Sequence, residues 1–196
     1  MKLLAATLNQ GKIREIREIF ENDEEITIVT PELFPGMPEV EETGGTFKEN
    51  ALLKANAAAS YTGLPVISDD SGLEVYALDM RPGVFSARYA GNKADDEENV
   101  AKLLNEMDGR TNRKARFRCV IAYIDPAGAN FTAEGSSEGV IAEKPAGKRG
   151  FGYDPIFIPD GEKRTFAEID PAVKNMISHR SRALKDFREK FQMLGE

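Results

Sequence analysis

Apolar positions recur along this chain with two periods, and the switches between them mark out the elements. Lys2 to Thr7, built around the apolar run Leu3 to Ala6, predicts a first strand buried on both faces. Ile13, Ile16, Ile19 and Phe20 then fall at helical spacing. Ile26 to Val29 is a second strand, and Pro31 to Glu39 is a proline-rich loop. Thr46-Phe47-Lys48-Glu49 has the form of a capping box. It opens a helix through Ala59, with Gly63 as its C-terminal stop. Pro65-Val66-Ile67 predicts a short buried strand that breaks into a turn at Ser68 to Gly72, before apolar alternation resumes at Leu73. Pro82 to Gly91 is a loop, and Asp95 caps a helix carrying Val100, Leu103, Leu104 and Met107. Phe117, Cys119, Ile121 and Tyr123 alternate within an Arg116 to Ile124 strand, and Asp125 to Gly128 turns the chain. Asn130 to Gly135 and Gly139 to Glu143 read as two further strands of an antiparallel meander. After a glycine-rich loop, Ile156 to Ile158 is a last short strand, and Asp170-Pro171 begins a helical turn. Ser178 caps a final helix with Ala183, Leu184, Phe187, Phe191 and Leu194 on one face. Early alternation of strands and helices followed by a meander predicts an α/β fold. The expected architecture is a long twisted mixed sheet flanked by helices, residues 1–196 forming one domain of two lobes with a cleft between them.

Composition narrows the function classes. The chain has 196 residues, 41% hydrophobic and 30% charged, as in an ordinary globular protein. A formal net charge of −7 argues against a general nucleic-acid binder. It also means that an anionic substrate needs a local basic pocket or a cation. One cysteine, Cys119, allows no disulfide framework, which fits a reducing cytoplasm. The opening MKLLAATLNQGK is too short an apolar run for a signal peptide, and no run approaches membrane-spanning length.

Against that acidic background the basic residues collect at loops and helix ends: Lys12, Lys54, Arg88, Lys148, Lys174 and Arg180. Thr7 to Lys12 is a strand–loop–helix junction with Asn9 or Gln10 near the N-cap. Its free N–H groups and the Lys12 charge suit an anion. It is no Walker loop, because the G-x-x-x-x-G-K-[ST] pattern is absent. Glu41, Glu42, Asp69 and Asp70 supply oxygen ligands, and Phe151 and Tyr153 supply aromatic faces. In an extended segment Asp69 and Asp70 point to opposite faces, so they do different jobs. Asn50 and Lys54 stand one helical turn apart and share a face. This inventory suits a magnesium nucleotide, since magnesium takes few protein carboxylates and bridges phosphates; manganese fits the same hard donors. The residues alone lead to hydrolysis or transfer at nucleotide phosphates. A nucleotide sensor without turnover and an RNA-binding module on the Lys144 to Arg149 loop are the other classes; the acid pair argues against the first and the net charge against the second.

The chain resembles the inosine triphosphate pyrophosphatases, the Ham1-like or non-canonical purine NTP pyrophosphatases. The matching blocks are ATLNQGK, EETGGTFKENALLKA, SDDSGLEV, PGVFSARYAG, EGVI, GFGYDPIF, TFAEI and KNMISHRSRAL. They cover nearly the whole chain in order. The resemblance implies an enzyme hydrolysing ITP, dITP and XTP to the monophosphate and pyrophosphate, a house-cleaning homodimer of the cytoplasm. It implies that Thr7, Leu8, Asn9, Gln10, Gly11 and Lys12 wrap the triphosphate, with Lys54 and Ser71 also at the substrate. Glu42 and Asp70 would hold magnesium, and Asp70 would accept the proton of water. Asp69 would orient the metal site or Lys54. Phe151 would stack on the base, beside Gly152 and Tyr153. Asp154, Lys174, His179 and Arg180 would form the base pocket.

Overall fold

The first strand, β1 (Lys2–Ala5), is buried on both faces, as its unbroken apolar run requires. It lies between β2 (Thr27–Val29) and β3 (Val66–Val75), parallel to both. β4 (Lys114–Ile124), β5 (Asn130–Ile141) and β6 (Phe157–Pro159) extend the sheet in the order β2-β1-β3-β4-β5-β6. The β5–β6 pair is antiparallel, so the sheet is mixed. The computed structural model describes residues 1–21 and 23–194. The α-helices among the described residues are α1 (Gln10–Phe20), α2 (Phe47–Thr62), α3 (Asp96–Glu106), α4 (Pro171–Ile177) and α5 (His179–Gln192).

The helix ends are fixed by the residues that the sequence singles out. Asn9 is the N-cap of α1, its side-chain oxygen accepting from the Lys12 N–H at 3.1 Å. Thr46 and Glu49 close a reciprocal capping box on α2, which ends at Gly63 in the left-handed region (φ +67°). Asp95 and Glu98 form a second capping box on α3. Asp170 caps α4, with Pro171 at its first position.

Two predicted boundaries give way. β3 runs without interruption from Val66 to Val75, with no turn at Ser68 to Gly72. The two carboxylates do not end it because each is met by charged partners, described below. β5 is likewise one strand where two were expected. Gly139 does not break it: a Cβ there would come within 2.2 Å of the Ile158 carbonyl oxygen, so the glycine admits a close approach of β6.

The chain divides into two compact units. The first comprises Met1–Asp70, Cys119–Gly135 and Arg180–Glu196. Here alternate residues of β1 serve two layers. Leu3 and Ala5 join Ile16 and Phe20 of α1 and Leu184 and Phe187 of α5. Leu4 and Ala6 meet Ala51, Ala55, Ala58 and Ala59 of α2, whose small side chains let the helix lie close to the sheet. The second unit comprises Ser71–Arg118 and Ser136–His179. Its core joins Val100 and Leu103 of α3 and Met107 just past its end to Leu73, Val75, Phe117, Phe157 and Phe166. Burying each large side chain of these cores contributes about 1.5–3 kcal/mol.

Candidate active site

Within the first unit the middle of β3 carries Asp69 and Asp70, both buried. Their side chains leave opposite faces of the strand, and the two meet different company. Asp69 Oδ2 accepts from Arg180 Nε at 3.2 Å and Nη2 at 3.1 Å, and lies 3.1 Å from Lys12 Nζ. Arg180 is itself 1% exposed and also pairs with the buried Glu15 of α1. Burial works to raise the Asp69 carboxyl, yet Lys12, Arg180 and Lys54 together outweigh it and hold it well below the usual carboxylate range. Asp69 is therefore ionised near neutral pH. The thiol of Cys119 stands 3.9 Å from the same oxygen, and burial drives it far above the ordinary thiol range. It is inert core, as its strand pattern suggests.

Asp70 shows the opposite shift. Burial raises its carboxyl, Lys54 draws it down, and Glu42 pushes it up again, leaving it above the ordinary value. Asn50 Nδ2 donates to its Oδ2 at 3.1 Å. Lys54 Nζ lies 3.6 Å from its Oδ1, 2.5 Å from Glu42 Oε1 and 2.9 Å from the Asp69 carbonyl oxygen. Burial would lower the Lys54 ammonium, but Asp70, Glu42 and Asp69 reverse this and raise it. Two carboxylates of unlike sequence origin thus converge on one cation position. Gly44 holds the segment in place: its N–H donates to Asn50 Oδ1 at 2.7 Å, and a Cβ there would come within 2.6 Å of that oxygen.

Within the second unit a separate group forms around Asp154. Its Oδ2 accepts from Lys174 Nζ at 2.6 Å and from the Phe151 N–H at 3.0 Å. Lys174 Nζ sits 5.2 Å from the Phe151 ring centroid and 5.5 Å from that of Phe166. The His179 ring stacks on Phe117 at 4.7 Å and 11°. Gly150, at φ +76°, leaves room for the Asp154 carboxylate, which a Cβ would meet at 1.9 Å.

Residues 3–190 match the sequence profile of the Ham1 family. The chain belongs to the Ham1 family. A dITP/XTP pyrophosphatase of Geobacter sulfurreducens is 51% identical over 185 residues, covering 93% of this chain and 92% of that protein. One of Desulforamulus reducens is 52% identical over 187 residues, with 94% and 92% covered. The solved HAM1 protein of Coxiella burnetii superimposes with a TM-score of 0.90 at 44% identity, covering 98% of this chain and 99% of that one. The α/β fold is the Ham1 fold.

In this Ham1-family chain the predicted residues sort into three groups. Lys12, Lys54, Glu42, Asp69 and Asp70 are brought together around the centre of β3. Thr7, Leu8 and Asn9 form the approach to α1 and Gln10 and Gly11 its first turn; Thr7 Oγ1 accepts from the Asn9 N–H at 3.2 Å. Phe151, Gly152, Asp154, Lys174 and His179 belong to the second unit, as does Ser71, the residue after Asp70 on β3. Two placements differ from expectation. Tyr153 offers no open aromatic face: it is 4% exposed in the core, and its hydroxyl donates to the Ser86 carbonyl oxygen at 2.9 Å. Arg180 is engaged by Asp69 and Glu15, a structural task that the sequence reading did not assign to it. Glu15 was missed as a member of the site, and Asn50 was read only as sharing a helix face with Lys54. The signal for Asn50 was its helical register with Lys54. For Glu15 it was an acid on the buried side of an amphipathic helix, which requires a cation.

Proposed function

We infer that this chain is a nucleoside triphosphate pyrophosphatase that hydrolyses the non-canonical purine nucleotides dITP, ITP and XTP to the monophosphate and pyrophosphate. Its relatives named dITP/XTP pyrophosphatase cover nearly all of the chain. The observation that carries the chemistry is the contrast on β3. Asp69 is locked as an anion, whereas Asp70 keeps a raised carboxyl beside Glu42 and Lys54. Asp70, the carboxylate that no arginine engages among the contacts described, takes the proton from water as it attacks the α-phosphorus. Pyrophosphate leaves and the nucleoside monophosphate remains. Lys12 and Lys54 neutralise charge on the triphosphate, and the N-terminal turn of α1 offers its free N–H groups to the same anion.

Glu42 and Asp70 fit a magnesium ion, being hard oxygen donors that already converge on one cation. Bound there, the ion would neutralise phosphate charge and lower the cost of forming the nucleophile. Among the described residues no cluster of three or more His, Cys, Asp or Glu side chains could hold a metal alone. Water and phosphate oxygens would therefore complete the shell. Phe151 stacks on the base, and Lys174, oriented by Asp154, donates to the 6-oxo group that hypoxanthine and xanthine carry and adenine lacks. A site built around such a bond rejects an analogue without it by as much as ~10⁴. Family likeness supports a cytoplasmic homodimer that cleanses the nucleotide pool.

The test is a panel of ITP, dITP, XTP, GTP and ATP with magnesium, and with EDTA, identifying the released product. Pyrophosphate from ITP, dITP and XTP in preference to ATP is expected. Release of orthophosphate, or equal rates with ATP, overturns the reading.

A further inference from the structure

We propose that Asp96, in the first turn of α3, is the positioning residue that holds the Gly150 to Asp154 loop in its base-receiving shape. The inference rests on the reading of Phe151 as the face that stacks on the base. Asp96 Oδ2 accepts from the Gly152 N–H at 2.6 Å, a contact between residues 56 apart in sequence. An ionised acceptor makes this one of the stronger kinds of hydrogen bond. The Gly152 nitrogen belongs to the same planar peptide as the Phe151 carbonyl. Anchoring that N–H therefore anchors the backbone that carries the Phe151 ring. Gly152 sits at φ +59°, in the left-handed region, where a glycine has little local preference to keep it.

The other ties of the loop run through different atoms: Lys174 Nζ reaches Asp154 Oδ2 at 2.6 Å and lies 5.2 Å from the Phe151 ring centroid, and the Ala167 N–H donates to the Asp154 carbonyl oxygen at 3.2 Å. Phe151 N–H and Asp154 N–H bond within the loop, at 3.0 Å to Asp154 Oδ2 and 3.2 Å to the Phe151 carbonyl oxygen. Tyr153 anchors its far side to Ser86. Asp96 supplies an external tie at the residue after Phe151. Nor is its carboxylate required to cap α3. Asp95 accepts from the Glu98 N–H at 2.8 Å, and Glu98 answers to the Asp95 N–H at 3.0 Å. One turn further along the helix, Asn99 does similar work on the neighbouring loop. Its side chain accepts from the Ala90 N–H at 2.8 Å and donates to the Ala87 carbonyl oxygen at 3.3 Å. The first turns of α3 thus act as a bracket for two loops, and Asp96 holds the one that carries Phe151.

Loss of this tie lowers the fraction of molecules whose loop is ready to receive a base. Apparent affinity falls by that fraction, while molecules that do bind react normally. Asp96→Ala should raise the KM for ITP by about tenfold, the scale of one hydrogen bond to a charged group. kcat should fall by less than about threefold, because the phosphate chemistry is untouched. Inorganic tripolyphosphate, which has no base, should inhibit wild type and Asp96→Ala equally. Asp96→Asn keeps an acceptor oxygen and should recover most of the lost affinity. Phe151→Ala, measured alongside, should raise the ITP KM at least as much as Asp96→Ala. If Phe151→Ala raises KM and Asp96→Ala does not, the positioning role is wrong and the base reading stands. If Phe151→Ala leaves KM unchanged, both fall. An equal rise in the tripolyphosphate inhibition constant and the ITP KM would show general damage and overturn the proposal, as would failure of Asp96→Asn to recover affinity.

Discussion

On one face of β3, Asp69 is 3% exposed, held by Lys12 and by an arginine that also grips Glu15. On the other face, Asp70 is 5% exposed and held by an amide and by one ammonium that it shares with Glu42. Burial is nearly the same, the strand is the same, and the side chains are chemically identical. Yet one carboxyl is depressed and the other raised. The cations around each carboxylate decide the outcome. Asp69 meets more positive charge than its burial requires, whereas Asp70 meets a cation diluted by a second anion. A group that is over-compensated holds the fold; one that is under-compensated can exchange a proton.

Exchanging the two aspartates for asparagine breaks this comparison most directly. Asp70→Asn should lower turnover of ITP by about 10²–10⁴ as proton acceptor and metal ligand are lost together. Its folding should be unchanged or slightly improved, because a carboxylate disfavoured by its site has been removed. Asp69→Asn should act through stability. It leaves Arg180 and Lys12 with less anionic charge than they need, at a cost of about 3–5 kcal/mol for breaking a buried pair. Steady-state kinetics and urea unfolding of both variants give the answer. A folded Asp69→Asn protein less active than Asp70→Asn would reverse the assignment of roles.

The two lysines sharpen the same contrast at lower amplitude. Lys12→Ala leaves Asp69 with Arg180, so β3 stays supported and the loss is that of a phosphate contact. Lys54→Ala leaves Glu42 and Asp70 facing each other without their shared ammonium. Hydrogen bonds to charged groups set the scale at about ten- to a hundredfold in kcat/KM, with Lys54→Ala at the upper end and Lys12→Ala at the lower. Kinetics on ITP with each variant test the order. A larger loss for Lys12→Ala would mean that the Asp69 side of the strand carries chemistry as well as structure.

These contrasts mark how far the sequence could be read. The elements were legible wherever local chemistry decides them: Asn9, Thr46, Asp95 and Asp170 cap the helices as expected. The opposition of Asp69 and Asp70 followed from strand geometry alone. The break at Ser68 to Gly72 was misjudged because isolated carboxylates read as turn formers. What keeps β3 straight is Arg180, 111 residues away in sequence, and no local pattern carries that pairing. The interruption expected between Gly135 and Gly139 was misjudged for the same kind of reason: Gly139 lies inside a continuous strand and admits the β6 backbone, which only the folded neighbour reveals. Tyr153 was given an outward role because its loop is polar. The core behind that loop comes from α3 and β3, elements distant in sequence.

The finest test is the pH dependence of stability in metal-free protein, where the two aspartates should have opposite signs. Asp69 has a folded value below its unfolded one, so its contribution is fully present above the ordinary carboxylate range and is lost as pH falls through that range and below. The stability gap between wild type and Asp69→Asn should therefore be widest near neutrality and should close on acidification. Asp70 has a folded value above its unfolded one. In acid it is protonated in both states and costs nothing. As pH rises through the ordinary range and then the raised folded value, the unfolded chain ionises first and wild type loses stability relative to Asp70→Asn. That gap should open with rising pH, in favour of the variant, and then level off. It should be smaller than the Asp69 gap, because Lys54 and Asn50 offset part of the burial. Urea unfolding of wild type and both variants at about five pH values between roughly pH 3 and pH 8 measures both curves. Two gaps that change in the same direction with pH would mean that Asp69 and Asp70 share one electrostatic environment, and the division of labour across β3 would be lost.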